Sequence, residues 1–240
     1  MTKMRKQCGI IMYFYTWSIY THIINPMPPF ELRLNGVVSF FSDAQRHDAV
    51  LIGTEITAAA SYHPKRMSDF ANGRYCARET LSRLGFEPTE IPKGIHREPV
   101  WPAGITGSIS HTTGLTGAIA ARKSDQLSLG LDIELRGSVT KELWQQLFTK
   151  SEQDILASHE LESPDLPTVF FSIKESFYKM QFPLTGRFLD FPEVEIVPSD
   201  HEYKLRLTGG RQLPGLPGHY FTGHGILGAH VITWCALPAI

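Results

Sequence analysis

The segment from residue 129 to residue 135 limits the possible folds most strongly, because its side chains alternate strictly. It reads LGLDIEL, with an apolar residue at every second position. Successive side chains of a β-strand point to opposite faces, so the four apolar residues share one face and the two acids share the other. The segment is therefore predicted to be a strand with one face against a core.

The other apolar runs divide between strand-like and helix-like patterns. Further strands are predicted at 37–41, 108–111, 115–121, 194–197, 203–207 and 228–236, and helices at 70–84, 141–148, 151–161 and 168–180. The strands and helices mix without a regular βαβ rhythm, which favours an α+β fold over a doubly wound sheet. The 240 residues suffice for one large domain or two small ones.

The composition excludes binding by bulk charge. The formal net charge is −1, so the chain has no overall attraction for nucleic acid or an acidic membrane, and any anion site must be built from placed cations. Cys8, Cys76 and Cys235 are far apart and form no C-x-x-C pair. This spacing argues against a zinc site or a disulfide framework and predicts a reducing, cytoplasmic location.

The N-terminus loosely resembles a signal anchor. Basic residues at positions 3, 5 and 6 precede an apolar and aromatic stretch over 8–24. Polar residues interrupt this stretch, which is also slightly short for a span of about 20 residues and lacks an A-x-A-like cleavage site. We expect residues 1–30 to be an unassigned extension rather than a membrane segment.

Two carboxylates of the alternating strand are candidate metal ligands. Asp132 and Glu134 share one face, roughly 6–7 Å apart along the strand. Carboxylate oxygens suit Mg²⁺, which usually takes one or two of them together with water and substrate phosphate. A solvated acidic face explains the pattern equally simply, and for this short motif alone it is the better explanation.

A second candidate lies in the predicted helix over 168–180. Glu175 and Lys179 are four residues apart and face the same side of the helix. They could form an ordinary surface ion pair. Alternatively, Glu175 could be a third metal ligand or a general base, and Lys179 could neutralise charge on a phosphate.

The remaining candidates are a Ser-His pair and several cations. Ser110 and His111 are adjacent on a strand, so they point to opposite faces and cannot act as a dyad, and no G-x-S-x-G motif surrounds them. Each suits contact with a phosphate-bearing ligand. Arg66, Arg74 and Arg97 are cations of the kind that bind a polyanionic nucleotide. Arg74 borders an apolar helix stripe, which implies a partner for its charge.

Together these segments resemble the 4′-phosphopantetheinyl transferases of the surfactin and enterobactin synthetase type. The matching segments are, in order, 66–78, 97–111, 130–134 and 171–187. The resemblance implies a pseudo-dimer of two similar α/β halves with the active site in the cleft between them. We expect residues 31–125 to form a coenzyme A-binding half and residues 126–240 to form a half with the metal and catalytic residues.

The resemblance also assigns roles to the candidate residues. Mg²⁺ would be held by Asp132, Glu134 and Glu175. Coenzyme A would be held by Arg66, Arg74, Arg97, Ser110 and His111, with Lys65 as a substitute for Arg66. Lys179 would act at the reacting phosphate, and Glu175, alone or through a metal-bound water, is the candidate base.

The implied reaction moves the phosphopantetheine arm of coenzyme A to a serine of an apo acyl or peptidyl carrier protein and releases 3′,5′-ADP. A monomer acting on no nucleic acid is expected. Fatty acid, polyketide, nonribosomal peptide and siderophore or other secondary metabolite synthesis all stay open. A metal-dependent phosphodiesterase using the same three acids, and a silent binder of coenzyme A or a carrier protein, are the alternatives.

Overall fold

The computed structural model describes residues 32, 34–43, 50–199, 202–216 and 219–239. The signal-anchor-like stretch and Cys8 lie outside these residues. The elements, in order, are β1 Val37–Ser42, α1 Thr54–Ala59, α2 Pro64–Arg83, β2 Ile105–Thr112, β3 Leu115–Arg122, β4 Gln126–Leu135, α3 Trp144–Leu147, α4 Lys150–Ser158, α5 Leu166–Thr185, β5 Val194–Ser199, β6 Glu202–Leu207, β7 Phe221–Leu227 and β8 His230–Pro238.

Two similar units follow one another along the chain. The first pairs its strands in the order β1-β3-β2 and the second in the order β4-β8-β7, and every pairing is antiparallel. Each unit also contains one helix of 20 residues, α2 in the first and α5 in the second. A hairpin of β5 and β6 is added to the second unit. This confirms the predicted α+β fold with two similar halves; the domain limits stay a prediction.

Two element predictions differ from the structure, and two elements were not predicted. Helix α2 begins at Pro64 rather than near residue 70, because proline fits the first turn of a helix, where its missing N–H costs nothing. The predicted helix over 141–148 is a 3₁₀ turn followed by the single turn α3. Helix α1 and strand β7 were not predicted; two glycines weaken the strand pattern of β7.

Strand β4 is buried on both faces. One face contributes Leu129, Leu131 and Ile133 to a core cluster that also contains residues of β3 and β8. The other face packs on α5, where a Cβ added to Gly130 would lie 1.8 Å from the carbonyl oxygen of Ser176. Only glycine therefore allows the backbone of α5 to rest directly on β4.

The cysteines and the helices agree with a folded globular chain. Cys76 and Cys235 are buried free thiols. Within the described ranges, no helix combines the length and the apolar character needed to cross a membrane.

The contact at Gly130 predicts a large loss of stability in Gly130→Ala. The new methyl group would overlap backbone atoms that cannot move without lifting α5, so we expect a cost of about 3 kcal/mol or more, measured by urea unfolding. Gly73→Ala in α2 is the matched control. Its Cβ would meet only a side-chain methyl of Ile109 at 3.0 Å, and alanine favours the helix, so a change within about 1 kcal/mol is expected. Equal effects of the two substitutions would contradict the proposed packing.

Candidate active site

Asp132 of β4 lies at the centre of a buried polar cluster. It is 4% exposed. Its Oδ1 accepts from Lys179 Nζ at 2.7 Å and from Ser110 Oγ at 3.1 Å, and its Oδ2 accepts from Ser172 Oγ at 2.8 Å. The cluster therefore joins β2 of the first half to β4 and α5 of the second. The alternative of a solvated acidic face is wrong for Asp132.

Lys179 points to β4 and not along its own helix. It pairs with Asp132 rather than with Glu175, so the surface pair expected from their spacing is not formed. Its ammonium also donates to Ser110 Oγ at 3.1 Å and to the carbonyl of Leu131 at 3.0 Å. A buried carboxylate needs a compensating charge, and the close packing of α5 on β4 makes Lys179 the cation that supplies it.

The other two acids share the electrostatic environment of Asp132. Burial raises the pKa of Glu134 to about 7, repulsion from Asp132 and Glu175 adds to this rise, and Lys179 opposes it. Burial also raises the pKa of Glu175; Lys179 offsets part of that rise, and Asp132 adds to it. The side-chain oxygens of Glu134 and Glu175 have no hydrogen-bond donor among the described residues. The fold thus brings the three predicted acids into one region and leaves two of them unpaired.

These acids do not form a complete protein-built metal cage. Within the described part of the chain, no group of three or more His, Cys, Asp or Glu side chains is arranged to hold a metal ion. Mg²⁺ rarely uses such a cage, since it keeps several waters and binds one or two carboxylates together with substrate phosphates. Two unpaired carboxylates with raised pKa values beside Asp132 fit that mode of binding.

His111 connects this cluster to the first half. Burial is the main cause that lowers its pKa; Asp69 opposes the change, and the nearby cations Arg66 and Lys179 add to it. A lowered pKa makes the imidazole neutral near pH 7, where one ring nitrogen donates and the other accepts. Arg66, Ser110 and His111, all predicted to contact coenzyme A, therefore lie near the acids of the second half.

Arg74 has the partner that its place beside an apolar stripe implies. It is 5% exposed, and burial lowers its pKa to about 10. Its guanidinium lies 4.3 Å from the ring centre of Phe70, Nε donates to the carbonyl of Ile91 at 2.6 Å, and Nη2 lies 3.5 Å from that of Pro92. The partner implied by the apolar stripe is thus the backbone of a loop. Binding of coenzyme A by Arg74 stays a prediction.

The loop that follows Ile91 carries Arg97. Arg97 is exposed and has a φ of 73°, the only non-glycine residue with positive φ within the described ranges. Such a conformation costs on the order of 1 kcal/mol and persists only where the surroundings enforce it. The loop therefore holds the backbone of Arg97 in one conformation.

Two residues near this loop were missed by sequence reasoning. Lys93 donates to the hydroxyl of Tyr62 at 2.9 Å, and this contact is the main cause that lowers the pKa of Tyr62. The guanidinium of Arg66 lies 5.6 Å from the centre of the same ring. Lys93 and Tyr62 are 31 residues apart in sequence, so no local motif linked them. Lys65 and Arg66 are both exposed, and the contact with Tyr62 distinguishes Arg66.

An apolar cavity of about 290 Å³ opens beside Glu175. Its lining consists of Lys174, Glu175, Phe177, Tyr178, Phe188, Leu189, Asp190, Phe191 and Val194. Phe188 is 63% exposed at the rim. A larger cavity of about 710 Å³ lies between α5, β6 and the loop after it, and none of the predicted site residues lines it. The smaller cavity is the one adjacent to the clustered acids.

The raised pKa of Glu134 predicts that the metal-free protein loses stability as the pH rises. The folded-state pKa of about 7 exceeds the ordinary 4.5, so the folded protein binds the proton more tightly. The resulting stability is complete below about pH 4.5 and is lost as the pH rises through about 7. Allowing for solvent screening, we expect a loss on the order of 1–2 kcal/mol, measured by urea unfolding in chelator.

Glu134→Gln should remove most of this loss, because glutamine does not titrate. Glu162→Gln, at an exposed acid, is the control and should leave the pH dependence unchanged. An identical pH dependence in wild-type protein and Glu134→Gln would show that folding does not raise the pKa of Glu134.

Comparison with known proteins identifies the family. The 4′-phosphopantetheinyl transferase N-terminal domain model matches residues 54–121, and the 4′-phosphopantetheinyl transferase superfamily model matches residues 128–235. The 4′-phosphopantetheinyl transferase Svp of Streptomyces mobaraensis is 37% identical over 210 residues, which are 83% of this chain and 84% of that protein.

Two further similarities are more partial. Enterobactin synthase component D of Salmonella typhimurium is 31% identical over 156 residues, or 64% of each chain. The solved holo-[acyl-carrier-protein] synthase of Thermotoga maritima overlaps 45% of this chain and 61% of its own, at 17% identity and a TM-score of 0.38. On the sequence matches, the chain belongs to the 4′-phosphopantetheinyl transferase superfamily, the enzymes that transfer phosphopantetheine from coenzyme A to a carrier protein.

Proposed function

We propose that Asp132, Glu134, Glu175 and Lys179 form the reaction centre of a Mg²⁺-dependent transfer of phosphopantetheine to a carrier-protein serine. The observation that carries this proposal is the buried cluster in which Ser110 of the first half meets Asp132 and Lys179 of the second. Carboxylates of the second half and one cation, Lys179, lie together near His111 of the first half. A diphosphate between two organic groups needs this combination.

The two sides of the cluster suit the two ends of coenzyme A. Arg66, Lys93 and Arg97 provide positive charge on the first half for the phosphates of the nucleotide end. The apolar cavity beside Glu175 suits the extended, mostly uncharged pantetheine arm. With both ends so placed, the diphosphate lies near His111 and the three acids.

Glu134 and Glu175, together with Asp132, are the residues that would hold Mg²⁺. When bound, the ion supplies charge stabilisation to the diphosphate oxygens and to the leaving phosphate. The protein therefore needs to provide only carboxylate oxygens and an oriented substrate, in agreement with the incomplete cage formed by its side chains.

Glu175 is the proposed general base. The serine oxygen of the carrier protein forms a bond to the phosphorus that bears pantetheine, the bond from this phosphorus to the bridging oxygen breaks, and 3′,5′-ADP leaves with the bonding electrons. The serine proton passes to Glu175, directly or through one water. Burial raises the pKa of Glu175 towards neutrality, which improves a carboxylate as a base at neutral pH.

Lys179 and His111 are proposed to stabilise the phosphoryl oxygens as charge builds up on them. The three hydrogens of the Lys179 ammonium already have three acceptors, and Ser110 Oγ, at 3.1 Å, is the longest of these contacts. A phosphate oxygen can take the place of Ser110 without disturbing the ion pair to Asp132. Ser110 then keeps its donation to Asp132, and its oxygen can accept a hydrogen bond from the ligand.

The alternative phosphodiesterase finds no support in the comparisons. It would direct water, rather than a protein serine, at the same phosphorus. We further propose a cytoplasmic monomer acting on an apo acyl or peptidyl carrier protein, with no nucleic acid partner. The similarity to an enterobactin synthase component makes siderophore synthesis one of the pathways it could serve.

The role of Glu175 predicts that Glu175→Gln abolishes transfer but preserves the fold. Glutamine has almost the same shape but cannot accept the proton, so we expect a loss of kcat of at least about 100-fold. The measurement is intact-mass analysis of an apo carrier protein incubated with coenzyme A and Mg²⁺, together with circular dichroism of the variant. Glu87→Gln, at an exposed acid of the first half, should retain wild-type activity. Near-normal transfer by Glu175→Gln would refute the assignment.

A further inference from the structure

A second buried ion pair lies in the first half, away from the three acids. Glu55 of α1 is completely buried and pairs with Arg78 of α2, whose Nη1 donates to both carboxylate oxygens at 3.0 Å. The same carboxylate accepts from the backbone N–H groups of Ile52 at 3.1 Å and Ile91 at 2.8 Å. Arg78 also donates through Nη2 to the carbonyl of Val50. A buried ion pair contributes little net stability compared with apolar packing, so its contacts are more informative than its energy.

Charged side chains hold both backbone groups of Ile91: Glu55, which Arg78 fixes, holds its N–H, and Arg74 holds its carbonyl. The N–H of Ile91 donates to Glu55, and the carbonyl of Ile91 accepts from Arg74 Nε at 2.6 Å. The Ile91 side chain is completely buried in the core of the first half. The carbonyl of Pro92 accepts from Val100 N at 2.9 Å, which closes the base of the loop formed by residues 92–100. Two charged side chains and a core contact thus fix the base of this loop.

The loop itself is tightly folded. The amide of Gly94 donates to Glu98 O at 2.8 Å, and the amide of Arg97 donates to Gly94 O at 3.0 Å. The Glu98 carboxylate accepts from His96 N at 2.9 Å. A loop with these internal bonds moves as one piece, so the orientation of its base determines where Arg97 lies.

The tip of the loop reaches the other half. The ring of His96 packs edge-on against Phe182 at 5.2 Å and Phe188 at 5.6 Å between ring centres. Phe188 lines the cavity beside Glu175. The loop 92–100 therefore extends from its anchored base in the first half to the rim of that cavity in the second.

We propose that Glu55 and Arg78 are positioning residues for the transferase reaction. Through Ile91 they hold the loop 92–100 so that Lys93 and Arg97 face coenzyme A and His96 borders the cavity proposed for the pantetheine arm. This inference rests on the proposed function, because it takes Arg97 as a ligand of coenzyme A. Neither Glu55 nor Arg78 touches the reacting atoms, and they act only through the loop.

Steady-state kinetics with coenzyme A and an apo peptidyl carrier protein test this inference. Glu55→Gln keeps the shape of the side chain but removes its charge. Arg78→Lys keeps the charge but removes the guanidinium that contacts both Glu55 and the carbonyl of Val50. Each should raise KM for coenzyme A about tenfold and leave kcat and KM for the carrier within about twofold. Leu156→Ala, in the core of the second half, is the control for lost stability; KM for coenzyme A should not change.

Hydrogen exchange of the full-length variants provides a second measurement. In Glu55→Gln and Arg78→Lys the amides of Gly94 and Arg97 should exchange faster, relative to the rest of the chain, than in Leu156→Ala. Unchanged exchange in this loop, in a folded variant, would overturn the positioning role even if KM rose. Should Glu55→Gln fail to fold, Arg78→Lys alone decides the question.

Arg97→Ala separates the two proposals. We expect Arg97→Ala to raise KM for coenzyme A. In the double variant with Glu55→Gln, KM should rise by less than the product of the two separate effects, because Glu55 and Arg78 then no longer have Arg97 to position. A raised KM in Arg97→Ala with a normal KM in Glu55→Gln and Arg78→Lys would overturn the positioning role of Glu55 and Arg78 and would leave the proposed function unaffected. A normal KM in Arg97→Ala would refute both the assignment of Arg97 as a ligand of coenzyme A and the positioning role of Glu55 and Arg78.

Discussion

The direct packing of α5 on β4 at Gly130 determines most of the properties of the site. The absence of a side chain there brings the helix backbone into contact with the strand, which removes Asp132 from water. A desolvated carboxylate requires a partner, and Lys179 is within reach because it lies one turn beyond Ser176 on the same helix. The same contact brings Glu175 and Glu134 close enough for the charge of Asp132 to raise their pKa values. One steric feature thus gives an ion pair and, among the described residues, two acids that accept no hydrogen bond.

The two halves contribute opposite charges to this region. The first half provides cations from α2 and from the loop 92–100, and the second provides the carboxylates. They meet through Ser110, whose hydroxyl donates to Asp132 and accepts from Lys179. The formal net charge of −1 for the whole chain does not show where these charged residues lie. In the proposed function, a polyanionic substrate is recognised by placed charges, since the chain has no bulk charge to attract it.

The alternation of β4 and the residue types of the site were readable from sequence, since both depend on local spacing. The partners of the charged side chains could not be predicted from the sequence. Lys179 was expected beside Glu175 at helical spacing, but it pairs with Asp132, 47 residues away, because burial of that carboxylate outweighs a solvated helix pair. Arg74 was recognised as needing a partner, yet the partner is a backbone carbonyl 17 residues away. Lys93 and Glu55 were missed for the same reason: their roles depend on tertiary contacts.

If the acids gathered by this packing bind Mg²⁺ together with the diphosphate of coenzyme A, the two ligands must bind cooperatively. Isothermal titration of Mg²⁺ into the protein with and without bound coenzyme A tests it most directly. We predict weak binding to the free protein, clearly tighter binding in the complex, and loss of this coupling in a Glu134→Gln/Glu175→Gln double variant that still folds. Equal Mg²⁺ affinity with and without coenzyme A, or unchanged coupling in the double variant, would contradict the account.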